Sequence, residues 1–260
     1  MDYSSLTYTL NNRIATITLD RPERRNALDD VMIKELLDAF SVANRASDAR
    51  VVVLTGSGPA FCGGMDLEYL KKCAQLGHGE NLEDARNLLR LLQAIYKLKK
   101  PVIAAVNGPA VGGGCGMVAA CDFVFAARTK AKIGAPEVRL GFLPALILVF
   151  LIKRMGEGRA KEFVLKGETL DAPTARERGL VTEIVEDPVL LSTVYAFAEN
   201  LSKTTSASSI LLTKDLFSRF NEMDMNNSLE YAANINALTR KTDDFKKGIE
   251  SFLNKDKLEW

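Results

Sequence analysis

Apolar residues along the first 190 or so positions follow two rhythms. Short β-branched or alternating runs predict strands at residues 13–19, 51–54, 102–106, 123–126, 130–133 and 181–185. In the first of these, Ile14, Thr16 and Thr18 alternate with the more apolar Ala15, Ile17 and Leu19. Helical spacing marks Ile33, Leu36, Leu37 and Phe40 behind a cap at Asp29, and Leu88, Leu92 and Ile95 ahead of Pro101. Residues 67–73 read as a short helix and His78 as part of a mobile-looking loop. A helix over 145–153 is expected to be opened by Pro144, followed by helical segments around 158–166 and 172–178. After Pro188 strand signals stop. Leu190, Val194, Phe197 and Leu201 line one amphipathic helix, and Phe245, Ile249 and Phe252 another. The pattern divides the chain into a mixed α/β part, 1–190, and a helical part, 191–260.

Composition adds mainly exclusions. The chain has 260 residues, 47% apolar and 26% charged, with a formal net charge of +1. Nothing in that balance advertises nucleic acid or an anionic membrane as partner. The longest apolar run, 142–152, is too short to span a bilayer. Cys62, Cys73, Cys115 and Cys121 lack paired spacing, and His78 is the single histidine, which argues against a zinc site and against histidine-based nucleophilic catalysis. Unpaired cysteines and the absence of a visible secretory signal lead us to expect a cytoplasmic protein.

Two glycine turns change the picture. Gly63-Gly64-Met65 follows the 51–54 strand, and Gly112-Gly113-Gly114 follows the 102–106 strand and precedes a buried helix read from Met117. If the strands are neighbours, the turns open on one side of the sheet, where two backbone N–H groups could grip one oxygen. The same glycines would also serve merely to allow tight turns and close helix packing. Neither phosphate-cradling glycine motif is present. Glu137 lies in an otherwise small or apolar loop containing Pro136 and Val138. It is either a desolvated acid/base group or a solvent-facing partner of Arg139.

Four motifs, in order, resemble the enoyl-CoA hydratase/isomerase (crotonase) superfamily: Arg21-Pro22 through Asn26-Ala27-Leu28, Phe61 through Leu67, Asn107 through Gly114 with Cys121-Asp122, and Pro136 through Gly141. The resemblance implies a crotonase-like ββα spiral with a helical C-terminal region that helps assemble trimers or dimers of trimers. It implies an acyl-CoA substrate, whose CoA is its only cofactor-like part. The thioester oxygen would be held by the N–H groups of Met65 and Gly113, with Glu137 moving a proton. Substrate contacts are expected at Arg25, Ala27, Gly63, Gly64, Asp66, Leu67, Gly112 and Gly116, and Lys255 or Lys257 could reach phosphates. Hydratases of the family use a second glutamate, and its position is Gly116 here. One carboxyl group suits double-bond isomerisation better than hydration. Hydration, and CoA-ester or RNA binding without catalysis, are the alternatives. A further departure is Pro144 through Leu148, bulky and apolar where relatives are often glycine-rich, which implies a bulkier, more apolar wall shaping the acyl pocket.

Overall fold

A computed structural model describes residues 2–220 and 222–260. In chain order the elements begin with β1 (Leu6–Asn11), β2 (Ile14–Leu19), α1 (Asp30–Arg45), β3 (Val51–Gly56), α2 (Leu67–Cys73) and α3 (His78–Tyr96). Then come β4 (Val102–Val106), β5 (Pro109–Val111), α4 (Gly113–Ala120), β6 (Phe123–Ala127), β7 (Lys132–Gly134) and α5 (Ala145–Met155). The rest is α6 (Glu157–Lys166), β8 (Thr169–Asp171), α7 (Ala172–Glu177), β9 (Glu183–Val185), α8 (Leu190–Thr204), α9 (Ala207–Phe220), α10 (Met225–Thr239) and α11 (Asp243–Asn254).

The main sheet has the order β1-β2-β3-β4-β6-β9. Its first pair is antiparallel and every later pair parallel. Parallel strands are covered on both faces, so they need apolar residues throughout. Residues 51–54 and 102–106 supply them, and all nine are buried. Thr55 is also buried, its hydroxyl donating to the Ala105 carbonyl at 2.9 Å. A smaller sheet, β5-β7-β8, stands beside the first. Helix α8 packs on the main sheet, while α9 and α10 pack on each other.

Several local expectations are corrected. His78 is the first residue of α3, not part of a loop. Gly77 caps that helix, with the Glu80 carboxylate accepting its N–H at 2.9 Å. Helix α4 begins at Gly113, four residues before Met117, so the glycines form its first turn. Their poor helix propensity is overridden by packing: a Cβ on Gly114 would stand 2.5 Å from the Cys62 carbonyl oxygen. The loop after β7 contains a 3₁₀ turn, Glu137–Leu140. Pro144 caps α5 from outside rather than entering it. The β2 strand is buried at every residue but the half-buried Thr18, Thr16 included, and α8 packs against it. β1 went unread although Leu6, Tyr8 and Leu10 alternate with exposed Thr7 and Thr9.

The connectors near the sheet's C-terminal edge are fixed by two asparagines. Asn26, fully buried and left-handed at φ 55°, accepts from the Arg21 N–H at 2.9 Å. It donates to the carbonyls of Ser57 at 2.9 Å and Ala60 at 2.8 Å. The Asn107 side chain accepts from the Gly56 N–H at 3.2 Å and donates to the Gly58 carbonyl at 3.1 Å. Asn26→Ala removes three bonds to main-chain groups at once, and of those groups only the Ala60 carbonyl keeps another donor among the described residues, the Asn107 amide at 3.4 Å. At about 1–3 kcal/mol for each unsatisfied buried group, we expect a loss of about 3–5 kcal/mol. A lower urea midpoint at unchanged m would show it; a shift of less than about 1 kcal/mol would exclude this bracing role.

Candidate active site

Ligands of parallel sheets gather at the carboxyl ends of the strands. Here the chain after β3 and the chain after β4 meet at that edge. The Cys62 N–H donates to the Pro109 carbonyl at 3.0 Å, and the Val111 N–H donates back to Cys62 at 2.9 Å. On the other side, the Leu28 N–H donates to Gly64 at 2.7 Å and the Asp66 N–H to Leu28 at 2.8 Å. That pairing is a parallel bridge between Leu28 and Met65. In such a bridge the neighbours of Met65 make the bonds, so its own N–H points away from Leu28. The Gly113 N–H lies in the first turn of α4, where helices leave donors free. Among the described residues, neither N–H has an acceptor.

The two glycine turns are in contact. A Cβ on Gly64 would lie 2.9 Å from the Val111 carbonyl oxygen and 3.9 Å from the Gly112 Cα. A Cβ on Gly113 would lie 2.9 Å from Leu28 Cδ1 and 4.0 Å from Met65 Sδ. Gly112 holds φ 52° and ψ −117°, a conformation for glycine.

Glu137 completes the cluster. A Cβ on Gly112 would stand 3.3 Å from Glu137 Oε1. The other oxygen, Oε2, is buried and has no hydrogen-bond partner among the described residues. Burial pushes the carboxyl pKa up, opposed only by its own main-chain N–H. Arg139 does not pair with it; that guanidinium donates to the Lys166 carbonyl instead. The Glu137 charge also reaches Cys115, whose thiol is held protonated mainly by burial. Cys62 and Cys121 are likewise buried, each pushed up to about 12. None of these three is suited to nucleophilic chemistry.

Of the expected substrate contacts, Ala27, Gly63, Gly64 and Gly112 lie in this frame, beside the expected oxyanion donor Gly113. Arg25 is exposed in a left-handed turn, and its carbonyl accepts from the Gly63 N–H at 2.8 Å. Asp66 is occupied locally: it caps α2 through the N–H groups of Glu68 and Tyr69. Arg21 and Arg24 stand 4.0 and 3.8 Å from its carboxylate. Leu67 begins α2 and is 69% exposed. Lys255 ends α11 in a left-handed turn, and Lys257 is exposed. Gly116 is walled in: a Cβ there would meet Ile147 Cγ2 at 2.3 Å and Leu92 Cδ2 at 3.5 Å. The sequence offers Ile147 only within the bulky 144–148 wall expected at the acyl pocket, and Leu92 only as a residue of a helix face. Among the described residues no cluster is suited to a metal ion, and no helix is long and apolar enough to cross a membrane.

A family model described as enoyl-CoA hydratase/isomerase matches residues 9–260. A Thermus thermophilus protein named as an enoyl-CoA hydratase is 39% identical over 242 residues, 93% of this chain and 95% of that one. An enoyl-CoA isomerase/hydratase of Mycosarcoma maydis is 34% identical over 216 residues, covering 77% of this chain and 78% of that one. The crystal structure of an enoyl-CoA hydratase from Mycobacterium smegmatis superposes with a TM-score of 0.91 at 29% identity, over 99% of both chains. The α/β architecture is the crotonase fold, and the chain belongs to the enoyl-CoA hydratase/isomerase family of enzymes.

Proposed function

We propose that this enzyme moves the double bond of an enoyl-CoA thioester from the 3- to the 2-position, using Glu137 alone as acid and base. One observation carries the reading. Glu137 Oε2 is buried and unpartnered among the described residues, and at Gly116, the position of the family's second carboxyl group, hydrocarbon from Ile147 and Leu92 takes the space. Adding water calls for a polar place to hold it, whereas the atoms nearest a Cβ at Gly116 are hydrocarbon. Isomerisation calls only for a carboxylate that can take and return one proton.

The steps balance within the substrate. Glu137 removes a C2 proton, and the C–H electron pair forms a C1–C2 double bond while the thioester π pair moves to oxygen. The Met65 and Gly113 N–H groups, with the positive end of α4 behind the second, hold that oxyanion. The oxygen pair then returns, C2–C3 becomes double, and the C3–C4 π pair takes the proton from Glu137 at C4. No electrons leave the substrate, so no redox cofactor is called for. CoA would run past the Arg24–Leu28 connector and the Gly63–Gly64 turn. The exposed Leu229, Leu238, Phe252 and Leu253 on α10 and α11 favour a homo-oligomer assembled through the C-terminal helices.

The test offers the protein a 3-enoyl-CoA and a 2-enoyl-CoA separately, following conjugation by absorbance and hydration by mass. We expect the first to isomerise and the second to gain water at least about 100-fold more slowly, the order expected when one acid/base group is missing. Hydration as fast as isomerisation would move the assignment to the hydratases, the activity named for the Thermus relative.

A further inference from the structure

A cavity of about 640 Å³ lies between α9 and the far ends of α3, α4 and α5, within the range that ligand pockets occupy. Its lining is mainly apolar and includes Tyr96, Ala119, Ala120 and Phe150. The charged groups nearby are engaged. Lys214 pairs with Asp122, Arg154 donates to the Cys121 and Leu180 carbonyls, and Lys153 lies over the Tyr96 ring. What remains is room for hydrocarbon.

This cavity and the catalytic face share three helices. On α4, Gly116 N–H bonds to the carbonyl of Gly112, the residue against Glu137, and Ala119 and Ala120 follow one turn later. On α3, Leu92 stands against the Gly116 position and Tyr96 follows four residues on. On α5, Ile147 stands against it and Phe150 follows three residues on. Residues three and four apart share a helix face. So each of the three helices presents one layer to the site and the next layer to the cavity. Tyr96 and Phe150 meet edge to face at 5.5 Å, forming the second layer. Two side-chain layers therefore separate site and cavity, Ile147 with Leu92 on the site side and Phe150 with Tyr96 on the cavity side.

We propose that Ile147, braced by Leu92, sets the length limit for the acyl chain, closing the reacting end of the substrate off from the cavity behind it. The inference rests on the acyl-CoA reading of the site. The polar connector carrying Arg24 and Arg25 suits the CoA end, which leaves the acyl tail facing the Gly116–Ile147–Leu92 wall. A tail that meets this wall gains nothing from added methylenes. With the wall shortened, each methylene that enters the vacated space, on the way toward the Phe150–Tyr96 layer, contributes about fourfold in affinity.

Calorimetry of butyryl-CoA and decanoyl-CoA binding to wild type and Ile147→Ala tests this without relying on turnover. We expect wild type to bind the decanoyl ester no tighter than the butyryl ester, and Ile147→Ala to bind it at least about tenfold tighter, as two or more newly buried methylenes predict. Ile147→Leu, which keeps the volume of the wall, should keep the wild-type ratio. If Ile147→Ala does not fold, Ile147→Val should move the ratio the same way by a few-fold. An unchanged ratio in a folded variant, or a wild type that already favours the decanoyl ester, overturns the length stop. If neither protein isomerises any enoyl-CoA but the binding ratio shifts as stated, the length stop stands and the isomerase reading falls.

Discussion

Glu137→Gln is expected to lower kcat on 3-enoyl-CoA by about 10²–10⁴, the range for loss of a positioned acid/base group, with KM within a few-fold of wild type. The amide fills the same space against Gly112 and leaves the two main-chain donors untouched, so binding should persist while proton transfer stops. Steady-state kinetics on the purified variant decides it. Turnover at the wild-type rate would place the proton transfer on a group other than Glu137.

The same carboxyl group ties activity and stability to pH in opposite directions. Burial raises its folded pKa above 4.5. As the base it must be ionised, so kcat/KM should climb with pH along a limb centred above 4.5. For stability, the native state keeps the proton longer than the unfolded chain. Stability therefore falls as pH rises from the unfolded value through the folded one, and the full cost of the buried charge remains above both. An amide in place of the carboxyl group carries no such charge. The Glu137→Gln variant should melt above wild type at neutral pH, and the gap should close below pH 4.5, where both states hold the proton. A variant less stable than wild type at neutral pH would mean that the carboxylate has a partner after all.

What the sequence disclosed and what it hid follow from the range of the forces involved. Runs such as 51–54 and 102–106 read as strands because a parallel interior requires unbroken apolar residues. The Asp29 cap was legible because its partner, the Met32 N–H at 2.9 Å, is local. Glu137 and the glycine turns stood out in the sequence because few residue types suit acid/base work or a tight backbone approach. Hidden were features decided across long sequence distances. Asn26 read as part of a motif, but its bonds to Ser57 and Ala60 required the folded loops. The start of α4 was misplaced because glycine propensity argues against a helix that only contact with Cys62 and Leu28 makes favourable. The wall beside Gly116 needed α3 and α5 brought together, and no local pattern announces that Leu92 and Ile147 meet there.

Gly112→Ala should damage both catalysis and stability, through two mechanisms that can be separated. At φ 52° and ψ −117° an L-residue is strained, at about 1–3 kcal/mol. For a chain of this size that lowers Tm by roughly 2–10 °C. The added methyl would also stand 3.3 Å from Glu137 Oε1 and 3.9 Å from the Gly64 Cα, pressing on the carboxylate and on the opposite turn. Relief of the strain turns the peptide between residues 112 and 113, and that peptide carries the Gly113 N–H. Losing one donor to an oxyanion costs about 10²–10³ in rate, so kcat should fall by at least about 10². Gly156→Ala separates the two effects. Gly156 has φ 79° and open space around its Cβ position, and it joins α5 to α6 away from the glycine turns. It should lose stability comparably while keeping kcat. If Gly112→Ala melts lower yet turns over like wild type, the Gly113 N–H is not a donor to the reacting oxygen, and the oxyanion must be held by some other group.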